Sequence, residues 1–132
     1  MNPKKILLVD DDPDQRLSLR LPLEAAGYTV SEAVSYDTGL KAVKNFQPDL
    51  VILDVMMDTT TAGFQFALTI HDADPESEFK DFANLPIIML TAIHGTTHLR
   101  FGPDETYLPV QDFLEKPVDP ELLLKTVAKY LS

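Results

Sequence analysis

The stretch Ile6-Leu7-Leu8-Val9-Asp10-Asp11-Asp12-Pro13 decides the reading of this chain. Four apolar residues in a row, with lysines before them and aspartates after, fit a strand buried on both faces. Such strands belong to parallel sheets covered by helices on each side. Asp12 followed by Pro13 is an N-cap with proline at the first helical position, so the strand is expected to pass almost at once into a helix. The same grammar recurs downstream. Leu50-Val51-Ile52-Leu53-Asp54 is a second apolar strand ending in an acid, Pro86 to Thr91 a further one, and Phe113-Leu114 a short fifth strand.

Between these strands the helical signals are of uneven strength. The first helix is expected from Pro13 to about Ala26, stopped by Gly27, with Pro22 expected to kink or break it because proline removes a helix hydrogen bond. Tyr28 to Ala33 alternates as a strand. Ser35 then caps a helix that carries Tyr36, Leu40 and Val43 at helical spacing, until Pro48 and Asp49 end it. A third helix is expected to follow Gly63, with Phe64, Ala67 and Leu68. The polar stretch 72–84 reads as a loop with a turn or two of helix. Residues 94–111 contain Gly95, Gly102, Pro103 and Pro109 and read as an irregular segment in place of a regular fourth helix. Asp119-Pro120 repeats the cap-then-proline signal and starts a last helix through Leu123, Val127 and Leu131. Strands alternating with helices imply an α/β fold with a doubly wound five-stranded parallel sheet. Function in such sheets sits at the carboxyl ends of the strands, where strand order reverses.

Composition narrows the chemistry. A chain of 132 residues is expected to form a single domain, 1–132, with no output domain attached. With 21 acidic against 11 basic residues and no basic cluster, nucleic-acid binding is not expected. The absence of cysteine excludes disulfides, thiolate metal sites and cysteine nucleophiles. The most apolar stretch, Leu85 to Ile93, is far short of the ~20 residues a membrane helix needs. With no membrane insertion and no signal-peptide pattern at the N-terminus, a cytoplasmic protein is expected.

The strand ends carry the chemistry. The first ends in Asp10-Asp11 with Asp12 next, the third in Asp54, the fourth in Thr91-Ala92, and the fifth is followed by Lys116-Pro117. Topology thus gathers carboxylates, a hydroxyl and an ammonium at one edge. Clustered carboxylates repel one another, and a hard divalent cation such as Mg2+ relieves the repulsion. A carboxylate beside that ion can act as a covalent nucleophile toward a phosphoryl group, whose oxygens the lysine and hydroxyl can bind. Two other metal patterns fail. Asp10, Asp12 and Asp14 mimic the start of an EF-hand, but Gln15 and Leu21 stand where Gly and Glu are needed. His94 and His98 have the i, i+4 spacing of a zinc helix, but Gly95 replaces the glutamate.

Taken together, Ile-Leu-Leu-Val-Asp10-Asp11-Asp12-Pro13, Leu-Val-Ile-Leu-Asp54-Val-Met-Met, Ile-Ile-Met-Leu-Thr91-Ala92 and Phe113-Leu-Glu-Lys116-Pro117 resemble the response-regulator receiver domain of two-component signalling, in order and along the whole chain. The resemblance implies a flavodoxin-like (βα)5 fold and a phosphorylation-dependent switch, not an enzyme beyond its own phosphorylation and dephosphorylation. It implies Asp54 as phospho-acceptor, Asp10 and Asp11 together with Asp54 and the backbone carbonyl of Met56 around Mg2+, Thr91 and Lys116 on the phosphoryl oxygens, and a cis Lys116–Pro117 peptide. Thr91 and Phe113 would form the switch pair. The partners implied are a sensor histidine kinase or phosphotransfer protein and a downstream protein target reached by protein–protein contact. The chain departs from the family at Asp58 and Ala62, where proline and glycine are usual, and Gly63 comes one residue late, so a longer, more polar loop is expected there. Two other readings stand beside this one. One is a haloacid-dehalogenase-type phosphatase with Asp10 as nucleophile and Asp12 as acid–base residue. The other is a docking module that works without phosphorylation.

Overall fold

The structure, a computed structural model, describes residues 3–54, 60–71, 76–77, 79–82, 84–91, 112–115 and 118–131. Along the chain run β1 (Lys5–Val9), α1 (Pro13–Ala25), β2 (Thr29–Ala33), α2 (Tyr36–Phe46), β3 (Leu50–Asp54), α3 (Thr60–Ile70), a 3-10 turn (Lys80–Phe82), β4 (Ile87–Thr91), β5 (Asp112–Glu115) and α4 (Pro120–Leu131). The strands form one parallel sheet in the order β2-β1-β3-β4-β5. This is the flavodoxin-like, doubly wound arrangement that the alternation of strands and helices predicts. From β1 the chain winds outward to β2, then crosses to β3 on the other side of β1. The switch point therefore lies between the carboxyl ends of β1 and β3.

The apolar runs are continuous because both faces of the sheet are covered. Leu7, Val9, Val51, Leu53, Ile87 and Met89 point to one side and pack with Val43 of α2 and Phe66, Ala67 and Ile70 of α3. Ile6, Leu8, Leu50, Ile52, Ile88 and Leu90 point to the other, against Leu19 and Leu23 of α1 and Leu123 and Val127 of α4. Register pairs like with like, Ile6 beside Leu50 and Leu7 beside Val51, so each face is apolar across strands. Each such side chain contributes about 1.5–3 kcal/mol by leaving water, which is why the central strands are the most strongly specified part of the chain.

Two expectations are corrected. Pro22 does not break α1, which runs unbroken from Pro13 to Ala25 with the proline inside it. Proline lacks its own N–H, but its carbonyl still accepts from Ala26 at 3.1 Å. The flanking Leu19 and Leu23 are buried in the core, so packing offsets the lost bond. The third helix begins at Thr60, ahead of Gly63, which it contains. A glycine inside a helix costs roughly 1 kcal/mol, which burial of Phe66, Ala67 and Ile70 on the same helix outweighs. Thr60 and Thr61 are accordingly helical, and the expected polar loop is shorter at that end. The 3-10 turn at Lys80–Phe82 matches the turn of helix expected within 72–84. The irregular segment expected at 94–111 lies outside the described residues, as do His94 and His98. Among the described residues, no helix is long and apolar enough to cross a membrane.

Candidate functional site

Three carboxylates meet at the switch point. Asp10 follows the last residue of β1 and is 1% exposed; Asp54 ends β3 and is 3% exposed. Asp11, one residue past Asp10, is exposed. An oxygen from each of the three lies within 4.8 Å of the others, and this is the one such group found among the described residues. The sequence places Asp10 and Asp54 there because each follows directly on a fully buried apolar residue, Val9 or Leu53, and Asp11 comes one residue later. The sheet core thus delivers two acids to a protein-lined edge where their charge is poorly hydrated. Burying like charges together is unfavourable without a compensating cation. An all-oxygen donor set, part buried and part open, fits a hard ion such as Mg2+ that keeps some of its water.

The β1–α1 junction is held by a mesh of bonds. Asp10 donates its N–H to the Ala33 carbonyl at 3.0 Å, and its Oδ1 accepts the Asp12 N–H at 2.9 Å. Asp12 Oδ1 in turn accepts the Asp14 N–H at 3.0 Å, the N-cap that Asp12-Pro13 predicts. Arg16, on the first turns of α1, donates Nη1–H to the Asp10 carbonyl at 2.8 Å and Nε–H to Glu32 of β2 at 2.5 Å. The other oxygen of Glu32 pairs with Arg20 at 2.5 Å, and Arg20 reaches Glu24 at 3.0 Å. The Arg20 hydrogen bond, reinforced by that of Arg16, holds the Glu32 carboxyl below its ordinary range against burial, which pushes it up. The same pairing, led by Glu32, raises the Arg20 guanidinium.

Asp54 is held differently. The Tyr36 hydroxyl, from the first turn of α2, donates to the Asp54 carbonyl at 2.8 Å. Ser35 caps α2 in a reciprocal capping box with Thr38, which fixes where Tyr36 starts. The Tyr36 ring leans on Phe66 of α3 at 5.8 Å between centroids. Gly39 leaves room for that contact: a Cβ there would stand 2.9 Å from the Phe66 ring and 3.2 Å from Val9.

Of the remaining expected site residues, Thr91 ends β4 one residue past Leu90, the register partner of Asp54, so its backbone reaches the same edge. Phe113 lies in β5 opposite Met89, and Glu115 lies opposite Thr91, which brings the chain to the point where Lys116 follows. Met56, Lys116 and Pro117 lie outside the described residues. Sequence reasoning missed Arg16, Glu32, Tyr36 and Gly39. Arg16 left one clue, a cation placed where the positive end of a helix disfavours it, which calls for a partner. The phosphatase reading gives Asp54 no role, although an oxygen of its carboxylate lies within 4.8 Å of those of Asp10 and Asp11.

Comparison with known proteins agrees with this architecture. The family model described as "Response regulator receiver domain" matches residues 6–128. Protein PilH of Pseudomonas aeruginosa is 31% identical over 129 residues, covering 97% of this chain and 98% of PilH. The transcriptional regulatory protein GlrR of Escherichia coli is 37% identical over 128 residues, 95% of this chain but 26% of GlrR. Among solved structures, the chemotaxis response regulator CheY4 of Vibrio cholerae superposes with a TM-score of 0.79 at 28% identity, covering 98% of this chain and 99% of that one. A sheet with its acids at the β1/β3 switch point, a family match along nearly the whole chain and these relatives lead to one conclusion: the chain belongs to the response regulator receiver domain family, the signalling module of two-component systems.

Proposed function

We propose that Asp54 is the phospho-acceptor of this receiver domain, with Mg2+ held by Asp10, Asp11, Asp54 and the Met56 carbonyl. The observation that carries the proposal is the convergence of three carboxylates from two strand ends within 4.8 Å, with Asp54 rigidly presented by a fully buried strand. In the transfer, a carboxylate oxygen of Asp54 attacks the phosphorus of a phosphohistidine on a sensor kinase or phosphotransfer protein. The P–N bond breaks, its electron pair returns to the imidazole nitrogen, and that nitrogen takes up a proton. Mg2+, when bound, supplies positive charge against the oxygens of the incoming phosphoryl group. Asp10 and Asp11 would hold the metal beside Asp54, while Thr91 and Lys116 serve as hydroxyl and ammonium donors to the phosphoryl oxygens. The added charge at Asp54 is read by Thr91 and Phe113, and a protein target in the cytoplasm recognises the altered surface.

Incubation with Mg2+ and acetyl phosphate, followed by intact-mass analysis and peptide mapping, tests this. One phosphoryl group on Asp54 is expected. A label mapped to Asp10 restores the phosphatase reading, and the absence of any label under conditions that modify a control receiver favours a phosphorylation-independent docking module.

A further inference from the structure

We propose that Arg16, locked by Glu32, is the positioning residue of the metal site: it fixes the Asp10 peptide so that the Asp10 and Asp11 carboxylates are presented together. The inference rests on the metal assignment above and extends it to two residues that touch no metal or phosphate. Three observations support it. Arg16 spans two elements, with Nη1 2.8 Å from the Asp10 carbonyl and Nε 2.5 Å from Glu32 on β2. Its side chain is 15% exposed and that of Glu32 26%, so the bridge is partly shielded from water. The bridge also closes a ring, because the Asp10 N–H is bonded to Ala33, the residue after Glu32. The Asp10 backbone is therefore gripped at its N–H by β2 and at its carbonyl, in the Asp10–Asp11 peptide, by an arginine that β2 also holds. Rotation of the Asp10–Asp11 peptide would swing Asp11 away from Asp54. Arg16 pairs with Glu32 instead of adding an unbalanced cation beside the site, so its effect on cations is one of geometry.

Supporting bonds behind metal ligands typically affect metal affinity by about tenfold or more when removed. Two quantities are read for each variant: Mn2+ affinity, from the paramagnetic resonance of the unbound ion with Mg2+ competition, and the acetyl phosphate labelling rate as a function of Mg2+ concentration. For Arg16→Met we expect Mn2+ affinity to fall about tenfold and the Mg2+ midpoint to rise in parallel, with the labelling rate at saturating Mg2+ near wild type. Glu32→Gln should shift both in the same direction by less, and the double variant should be no worse than Arg16→Met. Arg16→Lys, which can reach the carbonyl or Glu32 but not bridge both, should fall between. Arg20→Gln, which removes an ion pair to Glu32 without touching Asp10, should stay within about twofold of wild type. Urea unfolding of each variant separates affinity from stability. Should Arg16→Met not fold, Glu32→Gln and Arg16→Lys decide. Unchanged metal affinity in folded variants, or a loss of maximal rate without a shift in the Mg2+ midpoint, overturns the proposal. Failure of wild type to bind Mn2+ or to label at Asp54 would instead overturn the metal and acceptor assignments beneath it.

Discussion

The β1–α1 junction and the end of β3 each present a buried aspartate at the same edge, and they hold it by different means. At the junction the grip is ionic. Arg16 and Arg20 meet at Glu32, and Arg16 passes the restraint to the Asp10 carbonyl. At the end of β3 the described contacts include a neutral hydrogen bond and packing: the Tyr36 hydroxyl on the Asp54 carbonyl, its ring against Phe66, and a glycine at the point of closest approach. The contrast suits the two tasks proposed for the acids. A loop one residue off its strand must be restrained by directional, charge-assisted bonds. A strand-end residue is already placed by the sheet, and a neutral hydrogen bond with packing around it adds to that placement.

The largest effect expected is on the acceptor. Asp54→Asn should reduce phosphoryl uptake to background while leaving the fold intact, since the carbonyl that Tyr36 binds is retained. Wild-type labelling in that variant would remove the distinction between the two sides. Next comes the packing on the β3 side. Gly39→Ala would gain about 1 kcal/mol in helix propensity, yet its Cβ would enter the space of the Phe66 ring and of Val9, both buried. Overpacking of that kind costs roughly 1–3 kcal/mol, so urea unfolding should show net destabilisation, relieved when Phe66→Leu is added. A gain in stability would mean that the ring has room to retreat.

Tyr36→Phe should cost about 1 kcal/mol, the worth of one hydroxyl-to-carbonyl bond. Because this bond joins a hydroxyl to a carbonyl and carries no net charge, the deficit should not change when salt is added. The smallest effect sharpens the comparison most. Glu32 is depressed below its ordinary value of 4.5 by Arg20 and Arg16. Its contribution is therefore complete above that value and is lost as pH falls through the lower folded one. Glu32→Gln should be less stable than wild type by ~0.5–1 kcal/mol at pH 7, with the gap closing as the medium is acidified below pH 4.5. A gap that persists in acid would show that Glu32 acts by packing, and the ionic character of the junction would be refuted.

Much of this molecule is readable without coordinates. The runs Ile6–Val9 and Leu50–Leu53 are apolar without a break, and only a strand covered on both faces tolerates that. Asp12-Pro13, Ser35 and Asp119-Pro120 mark helix starts through local hydrogen-bonding chemistry, and α1, α2 and α4 begin where they indicate. The convergence of Asp10, Asp11 and Asp54 also follows from the sequence, since strands of a doubly wound sheet end on one edge and their last residues must meet there. Local rules failed where distant contacts outweigh them. Pro22 and Gly63 both sit inside helices because Leu19 and Leu23 anchor α1 in the core on either side of the proline and Phe66 and Ile70 anchor α3 beyond the glycine. The supports of the site were illegible for a related reason. Arg16 and Glu32 are sixteen residues apart, Tyr36 and Asp54 eighteen, and no periodicity links the members of either pair. Burial periodicity and capping are properties of neighbours along the chain. Which donor reaches which carbonyl is set only once β2 lies beside β1 and α2 and α3 pack on the sheet, because those distances exist in three dimensions alone.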